Sequence, residues 1–246
     1  MARRLGIARI AAMAERFGLG QRFDIGLNGV KSGVVPSDAW KRAHLGERWQ
    51  GGETLITGIG QGYLLATPLQ LAVMTARIAN GGMAIVPRLV RGEGDDPTFR
   101  PDPAPLGVAP RHVRRIQAAM NAVSNTPRGT AYRARIEDRP YKIAGKTGTA
   151  QVRRISKEER EEGIIENEDL EWRWRDHALF TAFAPVEAPR FAISVVVEHG
   201  GSGSGAAAPV ARDVMQRALE RYLPNETVSL DRRAFLLGRP SGSRRS

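Results

Sequence analysis

The chain has 246 residues, of which 41% are hydrophobic and 26% charged, proportions that suit one large globular domain or two small ones. It contains no cysteine, which excludes a disulfide framework, a thiolate zinc site and a cysteine nucleophile. The formal net charge is +11, but five Arg against one Asp in residues 231–246 supply over a third of it, and aromatic residues make up only 6% of the chain. A nucleic-acid function is therefore not expected, because bases would find little to stack on. No apolar run approaches the roughly 20 residues that cross a bilayer. Met1-Ala2-Arg3-Arg4 leads into an amphipathic pattern and not into the apolar core of a signal peptide, so no export signal is expected in the chain as written.

In chain order, Leu5, Ile10, Met13 and Phe17 recur at helical spacing, and Gly18 and Gly20 close that helix. Residues 21–62 are rich in Gly, contain Trp40 and Trp49 and lack a clear period, which predicts irregular structure with short strands. The clearest helix opens at Thr67, with Pro68 at its first position and Gln70 completing a capping box; Gly81-Gly82 ends it. A strand is predicted over 83–90, a Pro, Gly and Asp loop over 91–109, and a helix over 110–124 with Val113, Ile116, Met120 and Val123 on one face. Residues 141–152 read as a strand broken by glycines. Residues 156–176 hold nine acidic and four basic side chains, the pattern of a charged insertion loop in which Trp172 and Trp174 pack. Two strands over 178–185 and 190–197, joined by a short link, predict antiparallel pairing. A glycine hinge over 200–205 and an amphipathic helix over 209–223 follow. The basic segment 224–246 is expected to be disordered.

The sharpest local feature is Ile143-Ala144-Gly145-Lys146-Thr147-Gly148-Thr149-Ala150-Gln151. A phosphate-binding Walker loop would need a glycine at position 140, which is Pro140, and a following helix where this sequence reads as strand. The alternative is the Lys-Thr-Gly element of serine acyltransferases. Strand alternation puts Lys146 and Gly148 on one face and Thr147 and Thr149 on the other. A lysine and two hydroxyls beside a residue without a side chain would suit a terminal carboxylate and an oxyanion. On its own the tripeptide is equally compatible with a solvated strand lysine.

Further segments agree with it in order along the chain. Phe17-Gly18-Leu19-Gly20, Gly58-Ile59-Gly60-Gln61-Gly62-Tyr63, Thr67-Pro68-Leu69-Gln70-Leu71-Ala72, Ala79-Asn80-Gly81-Gly82, Phe183-Ala184-Pro185 and Val197-Glu198-His199-Gly200-Gly201 together resemble class B penicillin-binding proteins. The segment around residues 36–50 and the Glu-His-Gly-Gly ending resemble the elongation-type branch, the penicillin-binding protein 2 group. The resemblance implies an α+β, partial β-lactamase/transpeptidase-like fold, an antiparallel sheet backed by helices, over residues 1–223. It also implies a periplasmic D,D-transpeptidase at the bacterial inner membrane, in which a serine attacks the D-Ala-D-Ala amide and passes the acyl group to an amine of a second strand. By that resemblance Lys146 supports the site electrostatically and in proton transfer. Thr147, Gly148 and Thr149 bind the substrate carboxylate or its β-lactam mimic, and the Thr149 backbone N–H supplies half of an oxyanion hole. Expected partners are peptidoglycan stem peptides, β-lactams and cell-wall elongation proteins, including a membrane glycosyltransferase, with no cofactor, no metal and no nucleic acid.

The family also uses Ser-x-x-Lys for its nucleophile and a Ser-x-Asn element. No serine here has lysine three residues on, Ser37 with Lys41 coming nearest, and none has asparagine two residues on. In the family these elements precede the segment with which this chain begins. The expectation is therefore the C-terminal part of a transpeptidase domain, without its nucleophile and inactive alone. A non-catalytic, penicillin-binding-like module that contacts elongation partners is the alternative. His44, His112, His177 and His199 have no metal-ligand spacing and are expected to be structural. Gly60-Gln61-Gly62 is expected to shape the turn before Thr67 and not to contact substrate.

Overall fold

The computed structural model describes residues 1–89, 102–137, 139–153, 159, 161, 163 and 165–223. The first predicted helix forms as α2 (Ile7–Arg16), preceded by a single separate turn, α1 (Ala2–Leu5). Residues 21–62 depart from expectation, because two short helices stand where irregular chain and strands were predicted: α3 (Asp38–Leu45) and α4 (Gly51–Thr57). Local caps hold both. The Ser37 side chain accepts from the Trp40 N–H, and Gln50 and Glu53 form a capping box. The extended chain in this part makes only one isolated bridge, Val34 to Leu65. The helix from Thr67 forms as expected, α5 (Pro68–Ala79), with its capping box intact.

The strand predicted over 83–90 does not form among the described residues. Met83 makes a single bridge to Pro105, and Val90 lies outside the description, as do residues 91–101 of the predicted loop. A short apolar run is no strand without a neighbour to bond along its length. Next comes α6 (Pro110–Asn125), which buries Val113 and Met120 while leaving Ile116 exposed.

Three antiparallel strands then pair in the order β1 (Ala144–Ala150), β2 (His177–Ala184) and β3 (Phe191–Val197). Alternation along β2 sends Ala178, Phe180, Ala182 and Ala184 into one cluster with Ala208, Ala211, Met215 and Leu219 of the last helix, α7 (Ala208–Tyr222). On the other face Phe183 packs with Ala144, Ala79 at the end of α5 and Met120 of α6. The sheet thus lies between α7 and the α5–α6 pair, an α+β arrangement in which each buried Leu or Met side chain contributes about 2 kcal/mol.

The glycine segment at 200–205 is no hinge. It enters a π-helical turn, Gly203–Ala207, that runs straight into α7. Gly203 is buried, and a Cβ there would lie 2.4 Å from both the Gly148 and Leu179 carbonyl oxygens. The turn is pressed directly onto the β1–β2 backbone. In the charged segment the described part is compact: Arg175 Nε donates to the Leu170 carbonyl at 3.0 Å, and Asn167 Oδ1 accepts from the Asp176 N–H at 2.9 Å. The basic segment 224–246 lies outside the described residues.

Candidate functional site

β1 begins packed and ends open. Ala144 and Gly145 are buried, whereas Lys146 and Thr149 are exposed. Gly145 is required by contact: a Cβ there would fall 2.3 Å from the Phe180 ring. Asn125 Nδ2 ties the strand's entry to α6 by donating to the Ile143 carbonyl at 2.8 Å. The register sets Lys146 opposite Thr181, Gly148 opposite Leu179 and Thr149 opposite Ala178. Lys146 and Gly148 therefore share the face of Phe183, and Thr147 and Thr149 the face of Phe180.

In an antiparallel ladder a residue points its N–H and C=O to the same edge, and alternate residues point to opposite edges. The Thr147 carbonyl accepts from Lys146 Nζ at 2.7 Å and the Thr149 carbonyl accepts from Gln61 Nε2 at 3.2 Å. Both residues thus direct their backbone groups away from β2, and their N–H groups face the same edge of β1. No strand pairs there among the described residues. Thr130 Oγ1 lies 3.0 Å from Thr147 Oγ1, which anchors that hydroxyl. One short segment thus gathers an ammonium, two hydroxyls and two outward N–H groups with no carboxylate among them. Such an edge favours a carboxylate or a developing oxyanion.

The four residues singled out in the sequence, Lys146, Thr147, Gly148 and Thr149, stand together because they are consecutive. Two further contributors went unread. Thr130 has no motif of its own. Gln61 was assigned to a turn, which it does shape, with Gly60 and Gly62 both at positive φ; its side chain also reaches Thr149 across 88 residues of sequence. The serines have other duties or none yet visible: Ser37 caps α3, and Ser202 and Ser204 bond one another at 2.8 Å. The one Ser-x-Asp tripeptide, Ser229-Leu230-Asp231, follows Lys146 in the chain and lies outside the described residues.

His177 and His199 hold the end of the sheet next to Thr149, with His177 opposite Ala150. His177 Nδ1 accepts from the His199 N–H at 2.9 Å, and Trp172 packs on the His199 ring at 4.3 Å. No group of three or more side chains suited to a metal gathers among the described residues. Elsewhere Lys41 is 2% exposed, pairing with Glu53 at 2.5 Å and Glu47 at 3.1 Å. The hydrogen bond to Glu53, then that to Glu47, holds its ammonium above the usual lysine range despite burial. Burial alone would raise Glu53, but Lys41, the Gln50 N–H and the Tyr63 hydroxyl outweigh it and its carboxyl is lowered. An apolar groove of about 750 Å³ opens between α2, α5 and α6, lined by Leu5, Ile10, Met13, Met74, Ile78 and Ile116 among others.

Helices on both faces of an antiparallel sheet, with Lys-Thr-Gly on an open-edged strand, define a penicillin-binding, β-lactamase-like fold. The penicillin-binding protein transpeptidase domain matches residues 1–216, and the chain belongs to that family. It is 35% identical over 222 residues to the peptidoglycan D,D-transpeptidase MrdA of Salmonella typhimurium, a match that covers 88% of this chain and 35% of the relative. Among solved structures it is similar to Pseudomonas aeruginosa PBP2 in complex with WCK 5153, with a TM-score of 0.73 and 43% identity, covering 89% of this chain and 43% of that one. It is also similar to Helicobacter pylori PBP2 in its complex with MreC, with a TM-score of 0.74 and 30% identity, covering 89% and 37%. The chain therefore spans about a third of the length of the curated relatives it matches. Among the described residues no helix is long and apolar enough to cross a membrane.

Proposed function

We propose that this chain forms the substrate-clamping part of an elongation-type peptidoglycan D,D-transpeptidase domain acting on the periplasmic face of the inner membrane. The outward pair of N–H groups at Thr147 and Thr149, with the Lys146 ammonium on the same edge, is the observation that carries the reading. Lys146 supplies positive charge and assists proton transfer, Thr147 and Thr149 bind the stem-peptide carboxylate, and Gly148 keeps the strand slim. The Thr149 N–H stabilises the oxyanion that forms when a nucleophile adds to the D-Ala-D-Ala carbonyl. The chain has no Ser-x-x-Lys of its own, so it does not form an acyl-enzyme alone. A second reading is a non-catalytic module for elongation partners such as an MreC-like protein or a membrane glycosyltransferase; the similarity to Helicobacter pylori PBP2 in its complex with MreC favours it.

The test is covalent labelling with fluorescent penicillin. The 246-residue chain gives no band after denaturing electrophoresis. The chain joined behind the upstream transpeptidase segment of the Pseudomonas aeruginosa relative gives a strong one. In that joined protein Lys146→Ala slows labelling by at least about a hundredfold, and Lys142→Ala changes it little. An adduct mapped to a residue of the short chain overturns the division of labour; equal losses at both lysines reduce the site to general charge.

A further inference from the structure

Gln61 stands in a turn that cannot easily move. Its backbone N–H donates to the Ile56 carbonyl at 3.1 Å, the neighbouring Gly62 approaches the Ile56 side chain, and Tyr63 packs against Trp40 and Trp49. From this frame a single neutral amide reaches Thr149. Lys146 already covers the Thr147 carbonyl, so the Gln61 amide covers the second outward acceptor of the edge. With the Thr147 and Thr149 carbonyls each already accepting a side-chain bond, what the backbone of these two residues mainly offers an incoming group is their N–H groups. An ordinary extended peptide needs both donors and acceptors to lie along a strand edge, whereas a carboxylate needs only donors.

We propose that Gln61 is the positioning residue that makes this edge selective for a terminal carboxylate over a neutral peptide end, by occupying the Thr149 carbonyl. The inference rests on the reading of Lys146–Thr149 as a carboxylate-binding segment. An uncharged donor suits the role, since it fills the acceptor without drawing the anion away from the two N–H groups. Removing it would free a carbonyl that a carboxamide N–H can use.

The test titrates the isotopically labelled 246-residue chain with N-acetyl-D-alanyl-D-alanine and, separately, with its C-terminal carboxamide, following the backbone amide signals of Thr147 and Thr149. The parent chain shows saturable shifts and binds the carboxylate at least about tenfold more tightly. In Gln61→Ala that ratio falls by about fivefold, the loss expected for one neutral hydrogen bond. In Gln61→Glu, a side chain of the same length that cannot donate while ionised, it falls further. Unchanged amide signals at Ala182 and Phe183 establish that the sheet is intact in both variants. An unchanged ratio in both variants overturns the role of Gln61 and leaves the site standing. No shift at Thr147 or Thr149 in the parent chain overturns the carboxylate reading itself, and this inference with it.

Discussion

On the α7 side of β2 the fully buried positions include Ala178, Ala182, Ala184, Ala207, Ala208 and Ala211, with Phe180, Met215 and Leu219 filled in between them. Around α5 the buried set includes Gln70, Thr75 and Arg77, and beyond them Lys41. Gln70 Nε2 donates to the Gln21 and Ser32 carbonyls at 2.8 and 2.6 Å, and Arg77 donates to the Ile85 and Arg16 carbonyls. One region is closed by small side chains that let a helix sit tight on a sheet; the other by polar groups that satisfy carbonyls of chain with little regular structure. The first is sensitive to added volume. The second is sensitive to lost hydrogen bonds even where volume is kept.

The sharpest break of that contrast is Gly203→Ala. A methyl group there meets two carbonyl oxygens of the sheet, so we expect a loss of about 3 kcal/mol in chemical denaturation. Gln70→Leu nearly keeps the volume but strands two carbonyls and the Thr67 N–H, and should cost about 2 kcal/mol. The volume-conserving Met215→Leu, made in the sheet region, should cost less than about 1.5 kcal/mol. If Met215→Leu proved costlier than Gln70→Leu, the division into shape-held and bond-held regions would fail.

A pH series probes the polar region. Glu53 is held below its ordinary value of 4.5, so its contribution is present above 4.5 and lost as pH falls through the lower folded value. Lys41 is held above its ordinary 10.5, so its contribution is present below 10.5 and lost as pH rises through the folded value. Amide exchange in α3 and α4 should therefore quicken at both extremes before it does in β2. The smallest effect concerns the apolar groove. It should bind a hydrophobic dye such as anilinonaphthalene sulfonate, and Met13→Lys should lower that fluorescence with little change in unfolding midpoint.

The sheet and α5 were largely legible because their signals are local. Thr67, Pro68 and Gln70 announce α5, and the short link after Ala184 announces an antiparallel pair. α3 and α4 were not, since seven or eight residues carry little periodicity and their support comes from the Lys41–Glu53 pair and side-chain caps. Residues 83–90 misled for the converse reason: their composition suits a strand, but among the described residues the pairing with residues 104–106 stops at Ala84, and the Ile85 carbonyl bonds to Arg77 instead of to a strand. The glycines at 200–205 spelled flexibility, whereas the requirement at Gly203 is for contact with backbone far away in sequence. The Lys-Thr-Gly residues were read directly, and their link to Gln61 could come only from the folded chain.

The covered carbonyls of β1 bear on solubility as well as on recognition. An exposed strand edge is a template on which other chains can zip, because it offers donors and acceptors in alternation. With the Thr147 and Thr149 acceptors already taken by Lys146 and Gln61, and with a lysine beside them, the edge of β1 offers a stray strand only half of what it needs. The same two bonds thereby make this edge, unpaired among the described residues, a poorer template for self-association.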